Sequence, residues 1–158
     1  MSKKTIIAIA SGYFNPVHNG HIELFERAKK IADKLIVIVN NDKQRKLKGS
    51  KEFQNENERC KIISSLKPVD GVLLSVDLDR SVTESLKLLY ERYKKLEEPK
   101  VNSVDIPTEY QLIFVNGGDQ FSNTVSERDV CMEYGIYMID GMGGKIQSSS
   151  WLLNGEEK

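Results

Sequence analysis

Short apolar runs rich in β-branched residues recur along the chain and predict five strands. Each run is continuous rather than alternating, which is typical of strands buried on both faces of a sheet. Four stretches with apolar residues at helical spacing lie between these runs. The predicted strands are Thr5–Ser11, Lys34–Asn40, Gly71–Val76, Leu112–Asn116 and Ile136–Ile139. The predicted helices are Gly20–Ala32, Glu56–Leu66, Val82–Leu96 and Glu127–Tyr134.

Three connecting segments lack a clear period. The polar and basic stretch Asn41–Asn55 is predicted as a loop, and Glu97–Tyr110, which contains two prolines, as a loop insertion. After the fifth predicted strand comes a glycine-rich turn, and SSSWLL then begins a last short helix. There is no internal repeat, so the pattern predicts a single domain over residues 1–158.

The alternation of strands and helices predicts an α/β fold. Continuous apolar strands joined through helices indicate a doubly wound, five-stranded parallel sheet with helices on both faces. In such sheets ligands bind beyond the carboxyl ends of the strands, where the strand order reverses. The unusual segments of this chain all follow predicted strands: HNGH the first, the basic loop the second, NGGD the fourth and GGKIQSSS the fifth. This convergence predicts a ligand site at that edge.

The composition is that of an ordinary globular protein. Of 158 residues 39% are hydrophobic, and 23 basic and 23 acidic residues give a net charge of zero. Balanced charge argues against a general nucleic-acid or membrane binder. The apolar runs are too short to span a bilayer and no signal peptide is visible, so we expect a cytoplasmic protein. Cys60 and Cys131 fall in predicted helices without a CxxC motif, which predicts core thiols rather than metal ligands.

The only two histidines of the chain lie at one predicted strand-to-helix turn. His18 and His21 flank Gly20 in SGYFNPVHNGHIELF, directly after the first predicted strand. A helix N-terminus offers free amides and the positive end of the helix dipole, which attract phosphate. Two imidazoles across that turn can face the same phosphate oxygens. The alternative is a surface histidine beside one that caps the helix, but a pair at this place favours a phosphate site.

Three further segments have both a functional and a structural interpretation. Asp42–Lys51 carries five Lys and Arg residues and is either a solvated loop or a flap whose lysine closes over phosphates. Ser148 or Ser149 is a good N-cap for the last predicted helix, and the same helix start is suited to phosphate. Gly118 and Asp119 form either a simple turn or a place where the backbone approaches a ligand closely.

Together these segments resemble a known superfamily. GYFNPVHNGH is similar to the HxGH signature of nucleotidyltransferases such as glycerol-3-phosphate cytidylyltransferase and heptose-phosphate adenylyltransferase. The similarity continues through RKLKG, ENER, NGGD and IQSSS, in the order and spacing of the small cytidylyltransferases, and covers nearly the whole chain. The resemblance implies a Rossmann-like fold. It also implies transfer of a CMP or AMP group from a nucleoside triphosphate to a small phosphorylated acceptor, with release of pyrophosphate.

The resemblance also implies roles for individual residues. By this resemblance, His18 and His21 stabilise the transition state and Lys48 contacts the phosphates. Arg59 supports the triphosphate or the acceptor phosphate. Mg²⁺ is expected to be bound mainly through the nucleotide phosphates, without a metal site built from protein side chains. The other residues expected to bind the nucleotide are Gly12, Tyr13, Phe14, Asn15, Gly20, Gly118, Asp119, Gln147, Ser148, Ser149 and Ser150.

The sequence leaves the nucleotide base and the acceptor open. Block spacing and length slightly favour CTP over ATP, but Asn15 stands where many relatives carry Asp, and no arginine precedes the three serines. The alternative within the superfamily is an adenylyltransferase of the heptose-phosphate or phosphopantetheine kind, and the alternative of another class is a nucleotide-binding sensor without turnover. The alternative for Arg59 is a helix-surface ion pair with Glu56 or Glu58, a contact worth little. Relatives of this kind are often dimers, so a homodimer is an open expectation although no pattern marks an interface.

Overall fold

The protein folds around a five-stranded sheet whose strands are all parallel. The computed structural model describes residues 4–98, 108–117 and 125–140. The strands are β1 (Lys4–Gly12), β2 (Lys34–Val39), β3 (Gly71–Leu74), β4 (Glu109–Val115) and β5 (Tyr137–Ile139). The helices are α1 (Asn19–Ile31), α2 (Asp42–Lys48), α3 (Glu56–Ser64), α4 (Thr83–Leu96) and α5 (Val125–Tyr134).

The strand order is β3-β2-β1-β4-β5, so the order reverses between β1 and β4. The chain first moves outward from β1 to β3, then crosses back to β4 and continues to β5. The carboxyl ends of β1 and β4 therefore flank the crevice in which doubly wound sheets bind ligands. The predicted fold class, an α/β doubly wound parallel sheet of five strands, is confirmed.

Each face of the sheet has its own helical layer and its own core. Side chains of β1 alternate between the two faces, as the period of two requires. Ala8 and Ala10 pack with α1 and α3, whereas Ile7 and Ile9 pack with α4 and α5. Cys131 is buried and Cys60 is half-buried, and both are free thiols within helices, as predicted. In the described part of the chain, no helix is long and apolar enough to cross a membrane.

One prediction was wrong, because residues 42–48, which were predicted as part of a loop, form helix α2. Smaller differences concern the ends of the elements. β3 ends at Leu74, before the predicted Val76, and β4 already begins at Glu109, inside the predicted loop insertion. The central part of that insertion and the predicted SSSWLL helix lie outside the described residues.

Candidate functional site

The chain leaves β1 through a tight bend that is shaped by an aromatic ring. Phe14 has a φ of 51° and is only 3% exposed, so its ring folds back into the core. The ring lies against Gly12, where a Cβ atom would stand 2.8 Å from Phe14 Cζ. Glycine is needed at residue 12 because any side chain would displace this ring. The peptide bond between Asn15 and Pro16 is cis.

The HNGH turn, His18–His21, holds both imidazoles through the backbone. His18 is the N-cap of α1, and its Nδ1 accepts a hydrogen bond from the Gly20 amide at 3.1 Å. The His18 amide in turn donates to His21 Nδ1 at 3.1 Å. In a neutral imidazole whose Nδ1 accepts, the proton is on Nε2, so Nε2 is the donor of each ring. His18 can therefore cap the helix through Nδ1 and donate to a ligand through Nε2 at the same time.

The two imidazole rings form one stacked unit beside the start of α1. Their centroids are 3.8 Å apart with an angle of 23° between the planes, and the Phe14 ring meets His21 edge-on at 4.8 Å. At Gly20 a Cβ atom would lie 3.0 Å from His18 Cε1, so glycine lets the first imidazole fold over the helix start. The first turn of α1 carries no acidic residue, which keeps the positive end of the helix dipole available to an anion.

Lys48, at the end of α2, approaches the same bend. Its Nζ lies 4.4 Å from the centroid of the Tyr13 ring, a cation–π contact, while the side chain remains exposed. Because Tyr13 adjoins Phe14 and Phe14 contacts His21, the structure brings Lys48 and the histidines to one end of β1. Gly49 ends α2 with a φ of 84°, the left-handed conformation common after helix ends.

Tertiary hydrogen bonds hold the short helix α2 in place. Asn41 caps it, and the Asn41 Nδ2 donates to the carbonyl oxygens of Ser75 and Asp77 at 3.0 and 2.9 Å. The buried Gln44 donates through Nε2 to the carbonyl oxygens of Asp79 and Ser81 at 2.7 and 2.8 Å. Sequence reasoning missed both residues, although an amide N-cap followed by Gln three residues later is a capping-box signal.

Arg59 lies beneath the site rather than at its surface. The residue is 1% exposed, and its guanidinium donates to the carbonyl oxygens of Tyr13, Asn40 and Gln54 at 2.7 to 3.0 Å. It also pairs with Asp42 Oδ1 at 2.7 Å. Arg59 thus ties the ends of β1 and β2 to α2, and its acidic partner is neither Glu56 nor Glu58. Its burial and these four bonds give Arg59 the task of positioning the backbone under the site.

The charge of Arg59 also sets the ionisation of Asp42. Burial by itself raises the pKa of the Asp42 carboxyl. The hydrogen bond from Arg59, the amide of Glu56 and the positive charges of Arg59 and Arg45 outweigh burial, so the pKa of Asp42 lies below its ordinary value. The carboxylate is therefore the form that this network stabilises.

Asn15 fastens the β1–α1 turn to the segment before α3. Its Nδ2 donates to the Lys51 carbonyl at 2.8 Å, and its Oδ1 accepts from the amides of Phe53 and Gln54, both at 2.9 Å. From the sequence, Asn15 was predicted only as a nucleotide contact. No signal in a single sequence indicates these bonds, because the partners lie 36 to 39 positions away.

Part of the predicted site cannot be placed. Gly118, Asp119, Gln147, Ser148, Ser149 and Ser150 lie outside the described residues. Beside them, Asn116 follows β4 and donates to Asp140 Oδ1 at 2.8 Å, and burial raises the pKa of that carboxyl. Within residues 4–98, 108–117 and 125–140, no group of three or more His, Cys, Asp or Glu side chains could hold a metal ion.

Comparisons with known proteins concern the family and the fold of the chain. A family model described as cytidylyltransferase-like matches residues 9–147. An FAD synthase of Thermoplasma volcanium is 30% identical over 136 residues, which cover 81% of this chain and 95% of that protein. An FAD synthase of Thermoplasma acidophilum is 37% identical over 75 residues, and the match covers about half of each chain, 48% and 53%. The crystal structure of a Thermoplasma volcanium lipopolysaccharide core biosynthesis protein is 25% identical, with a TM-score of 0.62 over 90% of this chain and 98% of that one.

Proposed function

Because the chain belongs to the cytidylyltransferase-like family, we propose that it transfers a nucleotidyl group from a nucleoside triphosphate to a small phosphorylated acceptor. The observation that carries this proposal is the HNGH turn, in which both Nδ1 atoms accept backbone amides. In the neutral form of each ring, the donor is then Nε2. Two stacked donors at a helix N-terminus suit the oxygens of a phosphoryl group.

The chemistry asks little more of the protein than positioning and charge. An oxygen of the acceptor phosphate attacks the α-phosphorus of the triphosphate, the bond between the α-phosphorus and the bridging oxygen breaks, and pyrophosphate leaves. The attacking oxygen is already anionic, so no general base is needed. His18 and His21 would donate to the phosphoryl oxygens, and the ammonium of Lys48 would add positive charge. Arg59 would act from beneath, by holding the backbone of Tyr13 and Asn40 in place.

For the substrates we propose ATP and FMN. The support comes from two relatives that are named FAD synthase, since FAD is FMN joined to AMP through a pyrophosphate bridge. The phosphate of FMN would then be the nucleophile, and FMN is a small phosphorylated acceptor of the kind expected from the sequence. This choice replaces the slight preference for CTP, which rested on block spacing and length.

The remaining expectations join the proposal unchanged. Mg²⁺ would be carried by the triphosphate oxygens and would offset their charge, because imidazole, amide and ammonium groups around the HNGH turn are poor ligands for it. The turn formed by Gly12, Tyr13, Phe14 and Asn15 would shape the nucleotide pocket. The other proposed nucleotide contacts are Gly20, Gly118, Asp119, Gln147, Ser148, Ser149 and Ser150.

The test is pyrophosphate release with ATP or CTP, each combined with FMN or glycerol 3-phosphate. We expect release with ATP and FMN, and formation of FAD. Release only with another pair would refute the proposed substrates and leave nucleotidyl transfer standing. No release with any pair, together with tight nucleotide binding, would refute transfer and favour a sensor.

Two substitutions of His18 separate its two tasks. His18→Ala removes both the helix cap and the Nε2 donor, whereas His18→Asn restores a good N-cap without the imidazole. We expect both variants to lose turnover by about a hundredfold or more, since a preorganised donor to the transition state has that value. Only His18→Ala should lose stability, by about 1 kcal/mol. Near-normal turnover of His18→Asn would show that the cap alone matters.

A further inference from the structure

Phe53 is a large apolar side chain left exposed on a backbone that is held firmly. Its side chain is 69% exposed, although such residues are usually buried. The segment around it, Ser50–Gln54, is here termed the pinned segment. Two buried arginines fasten its ends: Arg45 donates to the Ser50 carbonyl at 2.6 Å, and Arg59 donates to the Gln54 carbonyl at 3.0 Å.

Asn15 fastens the middle of the pinned segment. Its side-chain Nδ2 donates to the Lys51 carbonyl oxygen, and its Oδ1 accepts from the backbone amides of Phe53 and Gln54. A carboxylate could accept from those two amides, but it would place an oxygen against the Lys51 carbonyl. Asn therefore suits this arrangement better than Asp would. Because Asn15 lies three residues before His18, these bonds hold the backbone of Phe53 against the segment that leads from β1 into the HNGH turn.

Topology places Phe53 on one particular side of the site. The pinned segment connects α2 and α3, which lie between β2 and β3 in the chain, whereas β4 lies on the other side of β1. The proposed nucleotide contacts Gly118 and Asp119 follow β4. If the triphosphate lies over the HNGH turn with its nucleoside toward β4, the side near β2 is left for the acceptor.

We propose that Phe53 is an acceptor-specificity residue that stacks on a planar aromatic ring of the phosphorylated acceptor, and that Asn15 positions it. This inference rests on the proposed function, which it deepens by assigning a class of acceptor to one side of the site. An exposed ring on a pinned backbone loses little conformational freedom on binding, so more of the stacking free energy is retained as affinity. Ring stacking on aromatic side chains is favourable and tolerant of ring type.

The experiment measures FMN binding directly, so it does not depend on turnover. The dissociation constant of FMN is taken from the quenching of flavin fluorescence, with the wild-type protein and with Phe53→Leu. Tyr137→Leu is the matched control, since Tyr137 is an aromatic residue 63% exposed on β5, at the far edge of the sheet from the pinned segment. We expect Phe53→Leu to weaken FMN binding about tenfold, within the range of single stacking contacts, with ATP binding unchanged. Tyr137→Leu should bind FMN as the wild type does.

Asn15 is tested through Phe53 by a double-mutant cycle. Asn15→Ala should weaken FMN binding in the wild-type background and have little further effect in the Phe53→Leu background, because the two residues act through one contact. Equal FMN affinity of Phe53→Leu and the wild type would overturn the inference, whatever the activity. Absence of FMN binding by the wild type, with pyrophosphate release toward an acceptor that has no ring, would also overturn it while the proposed transfer reaction stood. If the effects of the two substitutions on FMN affinity are additive, Asn15 does not act by positioning Phe53.

Discussion

Replacement of Arg59 by methionine tests whether the candidate site rests on a buried charge. The side chain is 1% exposed and holds three backbone carbonyl oxygens and the Asp42 carboxylate. Breaking a buried ion pair by removing one partner costs about 3–5 kcal/mol. Methionine fills much of the volume, and the Asp42 side chain is 25% exposed and can regain some water, so the lower part of that range is expected. A loss of about 3 kcal/mol is a large share of the stability of a typical domain.

The pH dependence of that loss identifies its source. The pKa of Asp42 is depressed in the folded protein, so its ionic contribution is fully present above the unfolded pKa of about 3.9 and is lost as the pH falls through the folded pKa. Without Arg59, only the Glu56 amide and the charge of Arg45 still oppose the effect of burial, so the pKa of this carboxyl is depressed less. The difference in stability between wild type and Arg59→Met should therefore be largest near neutral pH and shrink below about pH 4, leaving the part due to the carbonyl oxygens.

The measurement is urea unfolding of both proteins between about pH 2 and 7. Arg92→Met is the matched control, because Arg92 is an exposed residue of α4 and its loss should change the free energy of unfolding by no more than about 0.5 kcal/mol. Folded Arg59→Met should also turn over more slowly, since the Tyr13 and Asn40 carbonyl oxygens lose their shared donor. A stability loss below about 1 kcal/mol at pH 7, or one that does not shrink in acid, would refute this account of Arg59.

Three further predictions follow from single contacts. Gly20→Ala should lower turnover at least tenfold by displacing the first imidazole of the HNGH turn, while the free energy of urea unfolding changes by less than about 1 kcal/mol, because the gain of about 0.4–1 kcal/mol from alanine in a helix offsets the weakened His18 cap. Tyr13→Leu should reduce turnover about two- to fivefold through loss of the cation–π contact with Lys48, whereas Tyr13→Phe should not, and equal rates in all three proteins would exclude that contact. Burial raises the pKa of Cys131 to about 12, so a thiol reagent at pH 8 should modify Cys60 first, and Cys60→Ser should label only as fast as the protein opens.

The fold and the family were predictable because they depend on signals that lie close together in the chain. Continuous apolar runs between amphipathic stretches leave few arrangements other than a parallel sheet covered by helices, and the observed fold class agrees. The predicted superfamily agrees with the family model that matches residues 9–147. The placement of His18 and His21 at the start of α1 followed from the same local pattern.

Helix α2 was missed because its sequence has no apolar period. Seven residues with buried Gln44 and Arg45 give no hydrophobic stripe, so the pattern indicates a solvated loop. The signals that were present concern the ends of the helix: an Asn41 cap, Gln44 three residues later and Gly49 after the last turn. What stabilises the helix is tertiary, since its polar side chains bond to the loop after β3.

The ion-pair partner of Arg59 was missed for a related reason. A helix-surface ion pair with Glu56 or Glu58 was considered because sequence spacing shows only neighbours on the same helix. The observed partners lie 5 to 46 positions away, and burial of an arginine at 1% exposure depends on carbonyl groups that three other segments supply. The hydrophobic period of a helix concerns neighbours within that helix, so it does not reveal contacts with residues of other segments.

Helix α2 and the partners of Arg59 were missed for one physical reason, which bears on how the site works. The residues that would touch phosphate lie in turns and at helix ends that local sequence patterns reveal, whereas those that hold them are polar side chains buried one layer below. Lys48 is carried by a helix that Asn41 and Gln44 fasten to the loop after β3, and not by a free flap. A group held in place before the substrate arrives loses less entropy in the transition state, so substitution of this buried layer should lower turnover without removing any contact to substrate.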